Sequence, residues 1–290
     1  MRPAYGHDDL MTPTIPPISP VLVTGCSSGI GRATVQALLR GPHPVWATAR
    51  KVESLTDLAA AGARVLALDV TDEASMVAAV REVEETHGTL GGLVNNAGYG
   101  EYGPVEEVPI DAVRRQFETN VFGLLRLTQL VLPGMRAAGR GRIVNVSSMG
   151  GRMTLPGGGV YHASKYAVEA LSDALRFETR GFGIAVSVVA PGPVRTAFGD
   201  AATAAPEGDG PYAAFRRGVA DRNAAAYHDP KARGLLEPDV VADVIVTVLE
   251  SARPRARYPV GFVSRETDGA RRVLPTSVWD ALLRRQYPTP

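Results

Sequence analysis

The sequence predicts an α/β fold in which one parallel β-sheet of about seven strands is covered by helices on both faces. Short apolar runs, such as residues 21–23, alternate with helical stretches over most of the chain. Strands buried on both sides of a parallel sheet have this continuous apolar character, and right-handed crossovers between them produce a doubly wound sheet. No internal repeat or linker divides the pattern. We therefore expect a single domain over residues 21–290.

Local signals place each element along the chain. Thr71 and Asp72 supply a helix start, and Pro238 begins a late helix. Gly123 and Pro133 are expected to interrupt a long helical segment. The expected strands are residues 20–24, 45–48, 64–68, 93–95, 142–146 and 184–189, with an edge strand at 258–260. The expected helices are residues 25–40, 54–61, 71–87, 109–138, 160–179 and 239–250.

Two segments fall outside this pattern. Residues 1–20 contain several prolines and no apolar stretch typical of a signal sequence, so we expect a poorly ordered leader. Residues 196–236 are rich in Ala, Gly, Pro and Asp, with scattered aromatics. A loop of this length in a compact domain is typically disordered or functional, and we interpret it as a lid over a substrate.

The composition limits the classes of function. The 290 residues are 45% hydrophobic and 21% charged with a net charge of +1, which is typical of a soluble globular protein. This balance gives no reason to expect nucleic acid or an anionic membrane as partner. No apolar run approaches the ~20 residues that span a bilayer, and the one cysteine, Cys26, cannot form an intrachain disulfide. We expect a cytoplasmic protein and, because the histidines are scattered, no metal site.

A glycine-rich turn, Thr24-Gly25-Cys26-Ser27-Ser28-Gly29-Ile30-Gly31, joins the first strand to the first helix. Glycines allow backbone N–H groups to approach a diphosphate, and the helix N-terminus adds partial positive charge. Many such turns bind nothing. The position between a buried strand and a helix nevertheless favours a dinucleotide site, and with it a Rossmann fold.

The end of the second strand indicates which dinucleotide binds. NAD enzymes place Asp or Glu there to hold the ribose 2′-hydroxyl. This chain has Ala49 followed by Arg50 and Lys51, which suits a 2′-phosphate, although the two cations could also be a solvated loop. The sequence therefore favours NADP over NAD.

Two further strand ends carry candidate cofactor contacts. Asp69 ends the third strand and can accept a hydrogen bond from adenine, or cap the next helix together with Thr71. Asn95 ends the fourth strand in Asn95-Asn96-Ala97-Gly98, where small residues allow a cofactor to pass. Its alternative role is to bond the backbone of a neighbouring strand.

Three side chains suit acid/base chemistry. Tyr161 and Lys165 have the i, i+4 spacing that puts a phenol and an ammonium on one helix face, and Ser148 follows a strand. The cation would lower a tyrosine pKa that starts near ~10, and the serine would hydrogen-bond the same reacting oxygen. Such a set can move a proton onto or off a carbonyl or carbinol oxygen. Each feature alone also fits a packed ring, a solvated charge or a strand end.

In order and spacing, these motifs resemble the classical short-chain dehydrogenase/reductase family over about residues 21–196. The matching positions are Thr24-Gly25-x-x-x-Gly29-x-Gly31, Asn95-Asn96-Ala97-Gly98, Asn120, Ser148, Tyr161-x-x-x-Lys165 and Pro191-Gly192. Two short segments, residues 148–161 and 192–198, are similar to the hydroxysteroid and retinol dehydrogenase branch.

The resemblance implies hydride transfer between nicotinamide and a carbinol or carbonyl carbon. It implies Tyr161 as general acid/base and Ser148 as the group that orients the substrate oxygen. Lys165 would bind the nicotinamide ribose, and Asn120 would hold a water linking Lys165 to solvent. The predicted cofactor contacts are Gly25, Ser27, Ser28, Gly29, Ile30, Gly31, Arg50, Asp69, Val70, Asn95, Ala97, Gly98, Tyr161, Lys165, Pro191, Val194 and Thr196. The resemblance also implies a homodimer or homotetramer.

The expected substrate is an apolar alcohol or ketone, of a steroid, retinoid or aldehyde type. The candidate wall residues are Met153, Leu155, Phe198, Tyr212 and Phe215, although such aromatics can instead anchor the lid. Tyr227 and His228 could bind a polar end of the substrate or lie at the surface. Two alternatives stay open: a ketoreductase acting on polyketide-like intermediates, and a catalytically silent NADP-binding sensor.

Overall fold

The computed structural model describes residues 19–203, 209–229, 232 and 234–289. Within these ranges, seven parallel strands form one sheet in the order β3-β2-β1-β4-β5-β6-β7. The strands are β1 (Val21–Val23), β2 (Val45–Ala49), β3 (Arg64–Ala67), β4 (Gly92–Asn95), β5 (Gly141–Val146), β6 (Ile184–Pro191) and β7 (Arg257–Val260). The predicted fold class is confirmed. The strand order reverses between β1 and β4, which is where a doubly wound sheet opens a crevice for a ligand.

The helices lie between the strands along the chain. They are α1 (Gly29–Leu38), α2 (Thr56–Ala60), α3 (Glu73–His87), α4 (Ile110–Phe117), α5 (Leu124–Ala137), α6 (Gly159–Thr179), α7 (Phe198–Thr203), α8 (Ala213–Tyr227), α9 (Pro238–Glu250), α10 (Phe262–Val273) and α11 (Thr276–Arg284). The predicted start signals are confirmed: Asp72 caps α3, accepting from the Ala74 N–H at 2.9 Å, and Pro238 begins α9. No helix among the described ranges is long and apolar enough to cross a membrane.

Two apolar layers bury both faces of the sheet. One layer joins α1, α2 and α9 to the sheet, and the other joins α3, α5 and α6. In β1, Val21 and Val23 pack into the first layer and Leu22 packs into the second. Successive strand residues point to opposite faces, so a strand covered on both sides must be apolar throughout. This is the physical reason for the continuous apolar runs in the sequence.

The long helical segment breaks at a π-helical turn, Glu118–Gly123, between α4 and α5. Gly123 is required there, because a Cβ would lie 2.3 Å from the Val70 carbonyl oxygen. The expected interruption at Pro133 is wrong, since α5 runs through this residue. Pro133 lies on the exposed side of α5, where water can bind the carbonyl group that a proline leaves unpaired.

The segment predicted as a lid contains α7 and α8 rather than a continuous loop. Residues 204–208, 230–231 and 233 of it lie outside the described residues. The C-terminal segment packs on α8: the Arg222 guanidinium lies 5.5 Å from the centre of the Tyr287 ring, and Pro288 contacts Gly218. Most of the predicted leader, residues 1–18, also lies outside the described residues, whereas Ser19 and Pro20 are buried.

Candidate active site

A cavity of about 870 Å³ lies at the carboxyl ends of the strands, and residues that follow β1 to β6 line it. This is the position expected for a ligand site in a doubly wound sheet. The predicted site residues that line it are Gly25, Ser27, Ser28, Gly29, Ile30, Arg50, Asp69, Val70, Ala97, Gly98, Ser148, Tyr161, Lys165, Pro191, Val194 and Thr196. The three predicted residues that do not line it are Gly31, Asn95 and Asn120.

The glycine-rich turn has the shape that a diphosphate cradle requires. Gly25 and Gly29 have φ angles of 71° and 58°, which side-chain-bearing residues rarely adopt. A Cβ on Gly31 would lie 2.4 Å from the Gly25 carbonyl oxygen. Gly31 therefore permits close packing inside the turn instead of touching the ligand, while the start of α1 faces the cavity. Cys26 is buried behind the turn, with its thiol 3.1 Å from the Val23 carbonyl oxygen.

Asn96, rather than Asn95, braces this turn. Its Nδ2 donates to the carbonyl oxygens of Thr24 (2.8 Å) and Gly25 (3.1 Å), and Asn96 lines the cavity. The Asn95 side chain points into the sheet, where its Nδ2 donates to Thr128 Oγ1 (3.0 Å) and Asn145 Oδ1 (2.9 Å). The sequence does not distinguish two adjacent asparagines, because the last paired residue of β4 decides which of them faces the sheet interior.

The end of the cavity beside β2 and β3 combines residues that the sequence singled out as cofactor contacts. Arg50 is exposed and lines the cavity beside the buried Ala49, whereas Lys51 is not among the lining residues. Asp69 lines it as well, and its Oδ1 accepts from the N–H (2.9 Å) and the hydroxyl (2.8 Å) of Thr71. Asp69 thus bonds Thr71 in the turn before α3, whereas Asp72 caps that helix, and the contact of Asp69 with adenine stays a prediction.

Helix α6 carries Tyr161 and Lys165 on its cavity side, opposite the end of β5. The Nζ of Lys165 donates to the Val146 carbonyl oxygen (2.9 Å) and lies 5.9 Å from the centre of the Tyr161 ring. Ser148 follows β5, its Oγ accepts from the Gly150 N–H (3.0 Å), and its hydroxyl is close enough to the Tyr161 phenol to lower the pKa of that group. A phenol, a hydroxyl and an ammonium therefore converge on one cavity.

The electrostatics of this set differ from the sequence-based expectation. Burial raises the pKa of Tyr161, the Tyr227 phenol raises it further, and the Ser148 hydrogen bond opposes them. The expectation was a lowered pKa. The physical reason is that the Lys165 ammonium bonds the Val146 carbonyl while aromatic rings surround the phenol. Burial also lowers the pKa of Lys165 to about 8, against the opposing charge of Glu169. Tyr161 is therefore protonated at neutral pH.

Asn120 is buried in the π-helical turn and holds the backbone after β4. Its Oδ1 accepts from the Tyr99 N–H (3.1 Å), and its Nδ2 donates to the Tyr99 carbonyl (2.9 Å) and to Ser164 Oγ (3.1 Å). A Cβ on Gly98 would lie 3.0 Å from Asn120 Oδ1 and 3.6 Å from Lys165 Nζ. Asn120 and Lys165 thus flank Gly98, and a water between them stays a prediction.

Aromatic side chains close the cavity beside Tyr161. Phe198, a candidate wall residue, lines it with its ring centre 5.1 Å from that of Tyr161, and Tyr227 lines it as well. The other candidate wall residues, Met153, Leu155, Tyr212 and Phe215, are not among the lining residues. His228 is exposed, with its Nε2 3.8 Å from a carboxylate oxygen of Asp200.

Sequence reasoning missed several polar residues of the cavity wall. Arg115, Glu118 and Thr119 come from α4 and the π-helical turn, and Tyr99 and Ser147 from strand ends. Polar residues on a helix surface normally face solvent, so nothing in the pattern marks these as ligand-facing. The π-helical turn changes which side chains face the cavity. Gly123 predicted an interruption of the helix at this place, but not its π-helical form.

Comparisons with known proteins agree with this geometry. A family model described as short chain dehydrogenase matches residues 19–207. The chain is 37% identical over 284 residues to 17-beta-hydroxysteroid dehydrogenase type 6 of Bos taurus, covering 93% of this chain and 89% of that protein. It is 33% identical over 270 residues to an NADPH-dependent 3-dehydrocapnine reductase of Ornithobacterium rhinotracheale, covering 90% and 94%. A solved short-chain dehydrogenase from Streptomyces avermitilis superposes with a TM-score of 0.77 at 34% identity, covering 92% and 95%.

Proposed function

The chain belongs to the short-chain dehydrogenase family, and on that premise we propose that it is an NADP(H)-dependent oxidoreductase with Tyr161 as its general acid/base. Family membership makes it an enzyme that acts on CH–OH groups. One observation carries the finer proposal: Tyr161, Ser148 and Lys165 line the same cavity as the glycine-rich turn. A catalytically silent sensor would need the turn alone.

Each residue of the site has a separate role in the reduction of a carbonyl group. A bound nicotinamide supplies the hydride. Ser148 donates a hydrogen bond to the carbonyl oxygen and stabilises the charge that develops there. Tyr161, held neutral by burial, gives its proton to the same oxygen. Lys165 binds the ribose hydroxyls and supplies positive charge near the phenol. In oxidation the same groups act in reverse.

Two features support NADP(H) over NAD(H). Arg50 lines the cavity next to Ala49, so the place of a ribose-binding carboxylate holds a methyl group and a neighbouring cation. A guanidinium can bind a 2′-phosphate through two parallel hydrogen bonds. The reductase of Ornithobacterium rhinotracheale, which is NADPH-dependent by name, is similar over nearly the whole chain.

We assign an apolar alcohol or ketone as the substrate class. Phe198 lies against Tyr161 and forms an apolar wall where the reacting carbon must sit. The similarity to a hydroxysteroid dehydrogenase agrees with an apolar ligand. A ketoreductase acting on polyketide-like intermediates is the second candidate, and the substrate panel described below separates the two.

We further assign a homodimer or homotetramer in the cytoplasm. The two long helical segments, residues 109–138 and 160–179, expose large apolar side chains: Ile110 is 62% exposed, Phe122 51% and Phe177 83%. Pairing of these faces would remove such surface from water. Light scattering coupled to gel filtration measures the subunit count, and a monomer at micromolar concentration would refute the assembly.

The central experiment follows NADPH oxidation with a panel of steroid, retinoid, aryl ketone and β-keto ester substrates. The wild-type protein should turn over at least one class, and Tyr161→Phe should reduce kcat about 100-fold or more, because general acid catalysis contributes at least that much. Equal turnover by both proteins would remove Tyr161 from the chemistry. Tight NADPH binding without turnover of any substrate would favour the sensor.

A further inference from the structure

A second pair of phenols lies beside the catalytic one. Tyr102 follows β4 and Tyr227 ends α8, and the two phenols lie close enough to shift each other's pKa. The Tyr102 ring lies 5.7 Å from the Tyr161 ring at an interplanar angle of 29°. The sequence left open whether Tyr227 binds a polar end of the substrate, and it gave Tyr102 no role.

Glycines on either side fix the Tyr102 ring. A Cβ on Gly100 would lie 2.6 Å from its Cε2, and a Cβ on Gly158 would lie 3.1 Å from its Cε1. The ring therefore fits only because both neighbours lack side chains. Stacked on Tyr161 and confined in this way, Tyr102 has a fixed hydroxyl position.

Tyr227 occupies the cavity side of the pair. It lines the cavity, its Cβ packs on Gly199, and its ring centre lies 6.1 Å from that of Phe198. Phe198 in turn contacts Tyr161 at 5.1 Å between ring centres. The Tyr227 phenol is also close enough to Tyr161 to raise its pKa, so a ligand bound at Tyr161 lies next to Tyr227.

Both phenols of the pair keep their protons at neutral pH. Burial raises the pKa of Tyr102 and raises that of Tyr227 to about 12. Tyr227 therefore has a hydroxyl proton that it can donate to an oxygen in the cavity. The Tyr287 phenol, which Arg222 hydrogen-bonds, is also close to the pair.

We propose that Tyr227 determines specificity by donating a hydrogen bond to a second oxygen of the substrate, close to the reacting carbonyl. Among the apolar ketones assigned above, the preferred substrates are then those that carry a second oxygen, such as a vicinal diketone or a β-keto ester. This inference rests on the proposed function, since it requires a carbonyl substrate at Tyr161.

The test measures kcat/KM for three probes, namely propiophenone, its vicinal diketone analogue phenylpropanedione, and ethyl benzoylacetate. Tyr227→Phe should lower kcat/KM about 10-fold for the two probes with a second oxygen and less than about 2-fold for propiophenone, because it removes one hydrogen bond. Tyr102→Phe should produce a smaller loss on the same two probes. Tyr212→Phe is the matched control, because it removes a hydroxyl of the same lid that bonds Glu106 away from the cavity.

Every other outcome of the three-probe experiment contradicts the role proposed for Tyr227. An equal loss on all three probes in Tyr227→Phe would mean that its hydroxyl only ties α8 to the neighbouring phenols. No loss on the oxygenated probes would mean that the hydroxyl does not touch substrate. Wild-type turnover of propiophenone alone would reject the second oxygen and leave the proposed function intact. Failure of the wild type on all three probes and on the wider panel would reject the oxidoreductase proposal itself.

Discussion

Lys165 donates a hydrogen bond from Nζ to the carbonyl oxygen of Val146 at 2.9 Å. This bond ties the middle of α6 to the end of β5 and keeps the ammonium 5.9 Å from the centre of the Tyr161 ring. The lysine is therefore a fixed and largely desolvated cation between the phenol and the site proposed for the nicotinamide ribose. Its charge state should control the pH dependence of the enzyme.

The first prediction concerns that charge. Burial lowers the pKa of Lys165 to about 8, so the ammonium is charged below this pH and neutral above it. We expect kcat/KM for NADPH to fall as the pH rises through about 8. Lys165→Arg should move this fall to higher pH, because a guanidinium stays charged. Lys165→Met should have a low kcat/KM for NADPH at every pH. A fall at the same pH in Lys165→Arg would assign the titration to another group.

The second prediction concerns the direction of the reaction. Burial raises the pKa of Tyr161, so the phenol is protonated at neutral pH. Carbonyl reduction needs the protonated form and should keep its kcat through neutrality, while alcohol oxidation needs the anion and should speed up continuously toward alkaline pH. Measuring kcat in both directions across the pH range checks this. An oxidation rate that levels off below neutral pH would contradict a raised pKa.

The third prediction separates the two hydroxyls at the reacting oxygen. Ser148→Ala should reduce kcat about 100-fold with little change in NADPH affinity, because it removes a hydrogen-bond donor that acts on developing charge. Ser148→Thr keeps a hydroxyl and should restore part of the rate. Because Ser148 also accepts from the Gly150 N–H, thermal unfolding of both variants must be compared. Weakened cofactor binding with unchanged kcat would exclude Ser148 from the chemistry.

The fourth prediction tests the cofactor assignment. Ala49→Asp should lower the ratio of kcat/KM for NADPH to that for NADH about 10-fold, because a carboxylate accepts from the 2′-hydroxyl and repels a 2′-phosphate. Arg50→Ala should raise KM for NADPH and leave KM for NADH unchanged. Ala60→Asp, at an exposed position of α2, is the charge control. An unchanged ratio in Ala49→Asp would show that the ribose lies elsewhere.

The fifth prediction decides between two roles for Asn95. Its amide joins Thr128 and Asn145 inside the sheet, so Asn95→Ala leaves a buried carbonyl oxygen of Asn145 without its donor. We expect a loss of about 1–3 kcal/mol in the free energy of unfolding, measured by urea denaturation, with an unchanged Kd for NADPH. A weaker Kd at unchanged stability would restore Asn95 as a cofactor contact.

The sheet and most of the site could be predicted because they restrict which residue types single positions can hold. Residues 21–23 must be apolar to be buried on both faces, and Gly25 and Gly29 must lack side chains to adopt positive φ angles. Lys165 and Tyr161 share a helix face by their spacing. Each of these requirements acts within a few residues of the chain.

The features that could not be predicted depend on contacts between segments that are distant in sequence. Asn95 and Asn96 are chemically identical, and only the register of β4 turns one into the sheet. The raised pKa of Tyr161 follows from rings brought by the residues after β4 and by α7, far away in sequence. The π-helical turn between α4 and α5 depends on the close packing of Gly123 against the backbone of Val70. No local pattern encodes such contacts.

The burial of Cys26 makes the enzyme's single cysteine a reporter of motion. Burial raises the pKa of its thiol to about 12, so the thiolate that alkylating reagents attack is scarce while the glycine-rich turn is closed. Labelling should then proceed only as fast as this turn opens, and a dinucleotide seated on it should slow the reaction. The rate of dye incorporation would thus follow cofactor occupancy without any engineered probe.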